Sequence, residues 1–437
     1  MKICVLGLGY IGFPTALLLA DAGHEVVGVD VNESIVERLN KGIVSDEEPM
    51  MLNLHRRASE RFHAQTEVPY ADAFVICVPT PIDNEMRLAD LTYVRSATTM
   101  VAARLREGNL VVLESTVPPG TTEKLVVPIL QSSGLKPDQF HAGYCSERAI
   151  PGNVLHEMVN NDRIVGGKDV QSAAMTKELY SSFVKGSIHL TDLNTAEFIK
   201  LMENTYRDVN IALINEFARI AEENNINIWE ARTLANKHPR VNLAKPGPGV
   251  GGHCIAVDPW FIVDKASYSP LIKTARDVND SMPNYVIKAI KEMVKDIENP
   301  TVTILGVAYK ANVSDSRETP ALRLIKLAEN EGITVKCYDP LVKRFEHDLE
   351  PLGDATYNSD CVVLITDHDI FRTIDPRQLS MRTRNLLDTR NSLDHSRWVD
   401  AGYSVKILGC PEIMRPTTDI SAQRHKEKVF QTINISS

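Results

Sequence analysis

The 437-residue chain predicts an α/β protein with two doubly wound domains joined by a central helical domain. Three observations carry that prediction. Residues 3 to 30 run strand, glycine-rich turn, apolar helix, strand; residues 301 to 339 repeat that order; and the stretch between them carries apolar residues at helical spacing. The expected boundaries are 1–190, 191–298 and 299–437, since a chain this long exceeds one ordinary core.

The first strand, Ile3-Cys4-Val5-Leu6, enters Gly7-Leu8-Gly9-Tyr10-Ile11-Gly12, a helix is expected from Pro14 to Ala22, and the strand Glu25 to Val29 ends at Asp30. Gly7, Gly9 and Gly12 permit a tight turn, close approach of a pyrophosphate, and helix–strand packing, while the helix N-terminus offers amide donors. Alone, such a glycine pattern is weak. Here an acidic residue follows eighteen positions after Gly12, which makes the region a Rossmann-like dinucleotide domain. Asp30 favours NAD over NADP, because a carboxylate accepts hydrogen bonds from the ribose hydroxyls and repels a 2′-phosphate.

The strands Ala73 to Val78 and Leu110 to Leu113 run into turns carrying Thr80 and Thr116. Those turns fall where cofactor contacts are expected, although hydroxyls are also ordinary turn chemistry. After another short strand, the segment from Gly143 to Gly152 sets Glu147 and Arg148 side by side and includes Ala149 and Pro151. It reads either as a surface ion pair or as a substrate-facing loop.

In the middle, Asn194-Thr195-Ala196-Glu197 has the form of a capping box opening a helix from Phe198 to Asn225. Lys200, Asn204 and Arg207 share one face of it, which reads either as a solvated polar stripe or, because Phe198, Leu201, Met202, Val209, Leu213 and Phe217 surround it, as a stripe part of which lines an interior cleft. A helix of this length also suits a dimer contact. The segment Asn236 to Asn242, containing His238 and Arg240, leads to Gly247-Pro248-Gly249-Val250-Gly251-Gly252-His253-Cys254, with Asp258 four residues later. A lone cysteine is ordinarily a small buried apolar residue, but the glycines let the backbone approach a ligand while Cys254 is aimed at it.

The last third lacks the glycine signature, so its second doubly wound domain suits the nucleotide half of a substrate. There the strand Thr301 to Gly306, the helix Pro320 to Asn330 and the strand Thr334 to Tyr338 precede a later strand, Cys361 to Thr366. Lys310 and Arg317 are the anion-binding candidates, expected to face the first domain. Beyond about Pro411 the polar chain reads as a peripheral tail.

A net charge of −9 argues against a nucleic-acid partner, and no apolar run reaches membrane-span length. Seven scattered cysteines form neither a disulfide framework nor a CxxC site. No metal is expected; Cys4, Cys77, Cys337 and Cys361 read as core; and the strand beginning at Ile3 leaves no signal-peptide layout, so the setting reads as cytoplasmic.

A nucleophilic cysteine beside NAD has a use when an aldehyde must be oxidised again, because a thiolate adds to the carbonyl and the adduct can lose a second hydride. Cys254, Lys200, Asn204, Glu147 and Asp258 supply the nucleophile, oxyanion donors and bases for that chemistry. Two rivals stay open: a two-electron dehydrogenase of the hydroxyacid type, and a non-catalytic NAD-binding regulator.

From the Gly7–Gly12 loop through Lys200-Leu201-Met202-Glu203-Asn204 and the Cys254 loop to Lys310 and Arg317, the chain resembles the UDP-glucose/GDP-mannose dehydrogenase family. The resemblance implies a homodimeric enzyme with Cys254 as nucleophile, Lys200 as proton carrier and oxyanion donor, and Asn204 as partner of the oxyanion or its water. It implies NAD contacts from Tyr10, Ile11, Asp30, Thr80, Thr116 and Arg317. Substrate contacts would come from Arg148, Ala149, Arg207, His238, Arg240, Gly251, Tyr309 and Lys310, with Arg240 reaching the other subunit's site. His253 before the cysteine and Val257 before Asp258 depart from the UDP-glucose branch. Within the resemblance, His253 and the proline-rich approach to it imply a UDP-N-acetylhexosamine substrate, and Ala256-Val257-Asp258-Pro259-Trp260 favours the mannosamine epimer over the glucosamine one, for bacterial surface-polysaccharide synthesis.

Overall fold

The computed structural model describes residues 1–44, 49–83, 87–150, 152–252 and 254–416. The chain divides into two compact units, one of Met1–Val209 with His253–Arg276, the other of Asn210–Gly252 with Asp277–Ser437.

In the first unit there are eight short strands among the described residues: β1 (Lys2–Leu6), β2 (Glu25–Val29), β3 (Phe62–Gln65), β4 (Ala73–Ile76), β5 (Leu110–Leu113), β6 (His141–Tyr144), β7 (Arg163–Gly167) and β8 (Ile188–Asp192). They pair in the order β3-β2-β1-β4-β5-β6-β7-β8, parallel throughout except for β6 with β7. Alternation buries both faces: Ile3 and Val5 enter a core with Leu17 and Val75, Cys4 and Leu6 one with Phe74 and Val101. Because β1 lies between β2 and β4, its carboxyl end is the switch point where an open parallel sheet leaves a crevice. The helix leaving that crevice runs Gly12–Asp21, two residues ahead of the expected Pro14 start, since proline is tolerated in a first turn.

The second unit repeats the plan. Its strands β9 (Thr301–Leu305), β10 (Thr334–Tyr338), β11 (Cys361–Leu364), β12 (Asn385–Asp388), β13 (Ser404–Ile407) and β14 (Ile413–Met414) pair as β10-β9-β11-β12-β13-β14, with β14 antiparallel. The helix Pro320–Asn330 forms as expected, with Thr319 capping it through a bond to the Ala321 amide. The first residues of the stretch read as a peripheral tail join the sheet as β14: Ile413 and Met414 pair with Lys406 and Val405. The rest of that stretch, from residue 417, lies outside the described residues.

The two sheets share a detail at their switch points. Gly7 N donates to Val29 O at 2.8 Å, and Gly306 N to Tyr338 O at 2.9 Å. They differ in the acid that follows. Asp30 accepts from the amides of Leu8 and Asn32, both at 2.9 Å, and stays partly exposed. Asp339 is buried and accepts from the amides of Val307, Ala308, Leu341 and Val342, and from His368 Nε2 at 3.1 Å. Burial pushes its carboxyl up, but the His368 bond and those amides together hold it below the usual range. The amides of Val307 and Ala308, in the turn that follows β9, are thus both engaged within this half.

The long helix runs Leu193–Glu223, its residues up to 209 belonging to the first unit and the rest to the second. Its start corrects the expected capping box. Asp192 caps it, accepting from the Thr195 amide at 2.9 Å and from the Thr195 hydroxyl at 2.6 Å. Glu197 turns away to take the amides of Gly120 (2.6 Å) and Thr122 (2.7 Å), a buried loop whose donors compete more strongly for the carboxylate. The apolar residues around the polar stripe divide. Leu201 is fully buried, yet Phe198, Met202, Leu213 and Phe217 are exposed within this chain.

Candidate active site

In the first unit the glycine loop has the geometry that NAD requires. A Cβ on Gly12 would lie 1.8 Å from Gly7 O, and one on Gly7, whose φ is +88°, 2.6 Å from Cys77 O. A Cβ on Gly9 would meet nothing within 4 Å, so the turn is closed on its inner side and open outward, a cradle for a pyrophosphate. Ile11 is the N-cap of the helix without a side-chain cap, and Tyr10 beside it is exposed. Thr80 and Thr116 come together across the crevice, the Thr80 hydroxyl donating to Thr116 O at 2.8 Å. Ser115 fixes the same turn from below by donating to Val78 O at 2.7 Å.

The catalytic candidates of the first unit also converge. Helical spacing puts Lys200 and Asn204 on one buried face, 5% and 0% exposed. Lys200 Nζ donates to Glu147 O at 2.7 Å and lies 3.5 Å from Glu147 Oε1. Asn204 donates to Asp258 Oδ2 and accepts from Arg207 Nη2. Asp258 opens the helix Asp258–Lys265, and its amide donates to Cys254 O at 2.8 Å, so one tight turn fixes the thiol-bearing residue against the carboxylate-bearing one.

Burial pushes the Asp258 carboxyl up to about 6, opposed by the Lys200 charge and the Asn204 hydrogen bond. Burial and then the Asp258 charge push the half-buried Cys254 thiol up to about 12, opposed by Lys200. The resting sulfur is thus a thiol, and its proton must leave as it attacks. A carboxylate titrating near 6 is suited to take up a proton at neutral pH.

Glu147 and Arg148 do not pair with each other. Glu147 faces Lys200, while Arg148 makes a two-point contact with Glu203 and donates to Asp162 O at 2.8 Å. Arg148, Ala149, Lys200, Glu203, Tyr206 and Arg207 all line a cavity of about 600 Å³. Glu203 and Tyr206 escaped the sequence reading; their signal was spacing, three and six residues after Lys200. Glu114 and Arg163 escaped it too, because each sits in an apolar run with nothing in the linear pattern to pair them.

In the second unit the glycine loop before the cysteine rests on the 309–320 segment. Gly252 N donates to Arg317 O at 3.1 Å, a Cβ on Gly251 would lie 2.7 Å from Glu318 O, and one on Gly252 2.9 Å from the Tyr309 ring. Gly251, Tyr309, Lys310 and Arg317 are so gathered in one region, with Arg317 exposed and paired to Asp315 at 2.6 Å. His238 and Arg240 are exposed on the turn after the Ile228–Ala235 helix, the Arg240 amide meeting His238 Nδ1 at 3.3 Å. Cys4, Cys337 and Cys361 are core as expected; Cys77 is half-buried, its Sγ donating to Glu114 Oε2 at 3.2 Å. Pro151 and His253 lie outside the described residues. Among the described residues there is no cluster of three metal-ligating side chains and no helix long and apolar enough to cross a membrane.

Known proteins resemble this chain over nearly its whole length. It is 49% identical over 420 residues to a UDP-N-acetyl-D-mannosamine dehydrogenase of Methanococcus maripaludis, covering 93% of this chain and 97% of that one. An NDP-N-acetyl-D-galactosaminuronic acid dehydrogenase of Ralstonia nicotianae is 43% identical over 409 residues, covering 89% and 95%. The solved UDP-D-ManNAc dehydrogenase of Pyrococcus horikoshii superposes with a TM-score of 0.88 at 37% identity, covering 94% of this chain and 100% of that one. Residues 1–184 match the NAD binding domain, 194–281 the central domain and 303–395 the UDP binding domain of one family. With the glycine cradle and the lysine–asparagine–aspartate constellation in place, the chain belongs to the UDP-glucose/GDP-mannose dehydrogenase family and is an NAD-dependent sugar-nucleotide dehydrogenase.

Proposed function

We propose that this enzyme oxidises C6 of UDP-N-acetyl-D-mannosamine to UDP-N-acetyl-D-mannosaminuronate, using two NAD per sugar. The observation that carries the proposal is the buried set Lys200, Asn204 and Asp258 built around the Cys254 turn. The identity to mannosamine dehydrogenases supports the choice of sugar.

In this reading the Gly7–Gly12 loop, Asp30, Thr80 and Thr116 would hold NAD, with Arg317 a further proposed contact, and NAD when bound would supply the hydride acceptor for each oxidation at C6. Lys200 exchanges the hydroxyl proton as the alcohol becomes an aldehyde. The Cys254 sulfur then adds to the aldehyde carbon and passes its proton to a neighbouring base, leaving a thiohemiacetal whose oxyanion faces Lys200 and Asn204. Loss of the second hydride gives a thioester. A water directed by Asp258 and Glu147 hydrolyses it, releasing the carboxylate and restoring the thiol.

Arg148, Ala149, Arg207, Gly251, Tyr309 and Lys310 are the proposed contacts to the sugar nucleotide. The chain is read as an NAD domain at 1–190, a helical domain at 191–298 and a UDP-sugar domain at 299–437. A homodimer is favoured by six exposed apolar residues on one side of the long helix, Phe198, Met202, Tyr206, Leu213, Phe217 and Ile220. His238 and Arg240, exposed in their own chain, then serve the partner's site. Seven free thiols fit a reducing cytoplasm, and the uronate would enter surface-polysaccharide synthesis.

The test is kcat/KM for UDP-N-acetylmannosamine beside its glucosamine and galactosamine counterparts. The mannosamine sugar is expected to lead by at least ~10-fold, the range one well-placed polar contact provides. A lead for either other sugar would overturn the substrate assignment, and bound NAD with no turnover of any of them would favour a regulator.

A further inference from the structure

We propose that Glu114 and Arg163 form a positioning pair that sets the cofactor seat and the Lys200 seat together; this rests on the dehydrogenase reading above. Both side chains are buried, 2% and 1% exposed as residues, with Arg163 Nη1 3.6 Å from Glu114 Oε1. Neither touches the candidate catalytic groups directly. Each reaches instead to the backbone or side chains that carry them.

On the cofactor side, Glu114 Oε2 accepts from Thr15 Oγ1 at 3.1 Å and from Cys77 Sγ at 3.2 Å. Thr15 lies in the first turn of the helix that presents its amides to a pyrophosphate. Cys77 is the residue against which Gly7 and Gly12 close: their added Cβ atoms would fall 2.6 Å from its carbonyl oxygen and 2.8 Å from its Cβ. Glu114 itself directly follows β5, one residue before Ser115 and two before Thr116. One carboxylate thus joins three pieces of the expected NAD seat.

On the other side, Arg163 Nη1 donates to Ser146 O at 3.1 Å and Nη2 to Met158 O at 3.4 Å. These two carbonyls bracket the excursion that carries Glu147, Arg148 and Ala149. Its first residue after Ser146 supplies the carbonyl that holds Lys200 Nζ. A guanidinium is suited to this task because its planar fork binds two fixed acceptors while facing a carboxylate.

Stability alone gives no reason for such a pair, since replacing a buried ion pair with apolar residues of similar volume is often neutral or stabilising. The effect of its loss is expected on position. Two double variants separate the two sides: Glu114→Gln with Arg163→Met keeps an acceptor for Thr15 and Cys77 but removes the guanidinium, whereas Glu114→Leu with Arg163→Met removes both.

The readouts are the Kd of NAD in the absence of sugar, kcat with UDP-N-acetylmannosamine, and Tm, each beside the wild type. The Gln/Met protein is expected to bind NAD within threefold of wild type while its kcat falls at least tenfold. The Leu/Met protein is expected to lose at least tenfold in both, with Tm preserved within a few degrees in each. Leu/Met protein matching wild type in Kd and kcat would overturn the proposal. So would equal losses in the two variants accompanied by a fallen Tm, the pattern of a merely structural pair. Wild-type protein that binds no NAD would overturn the underlying reading as well, an outcome visible before any variant is compared.

Discussion

Cys254→Ser is expected to abolish conversion to the uronate, by ~10³-fold or more in kcat, in line with removal of a covalent nucleophile. A serine hydroxyl is a far weaker acid than the Cys254 thiol, itself pushed up to about 12, so the attacking atom would be a neutral oxygen. Any ester that did form would hydrolyse more slowly than a thioester. The fold should survive: the turn is held by backbone bonds from Val257 N (3.1 Å) and Asp258 N (2.8 Å) to Cys254 O, which the substitution leaves alone. Assay of uronate by mass with unaltered circular dichroism checks this, and a variant retaining wild-type uronate formation would remove Cys254 from the mechanism.

Lys200→Ala is expected to lower kcat by ~10²–10⁴-fold, the range for a proton carrier that also stabilises an oxyanion. It also has a pH signature with a definite sign. The Lys200 charge opposes burial at Asp258, whose carboxyl stands at about 6, and at Cys254. Removing it takes away the largest influence opposing burial at each, so both groups titrate higher. The acid limb of kcat/KM, near 6 in the wild type if Asp258 works ionised, should move upward in the variant. An acid limb that stays put would detach Lys200 from Asp258, and an unchanged kcat would remove it from the site.

Much of this was readable from the chain because local rules and tertiary demands agree. The alternation of Ile3, Cys4, Val5 and Leu6 fixes which face each residue enters, and the glycines at 7 and 12 have no alternative, since any Cβ there meets backbone. Lys200 and Asn204 were legible as one face of a helix because 3.6-residue periodicity places them so. What escaped notice depended on partners distant in sequence. Glu197 has the spacing of a capping residue, but amides some seventy-five positions away hold it more strongly. Glu114 follows β5 and Arg163 opens β7, charged residues at strand ends that become meaningful once β5 and β7 share a sheet. The exposure of Phe198, Met202, Leu213 and Phe217 on the long helix was not legible, because periodicity reports an apolar face without saying which molecule buries it.

The central claim is a four-electron oxidation at one thiol-bearing site, and the measurement that meets it most directly is the number of NADH released per UDP-N-acetylmannosamine when the sugar is limiting and NAD is in excess. The account predicts two NADH per sugar with uronate as the product and no free aldehyde. One NADH per sugar, with the aldehyde accumulating, would contradict it and leave Cys254 without a role in the chemistry.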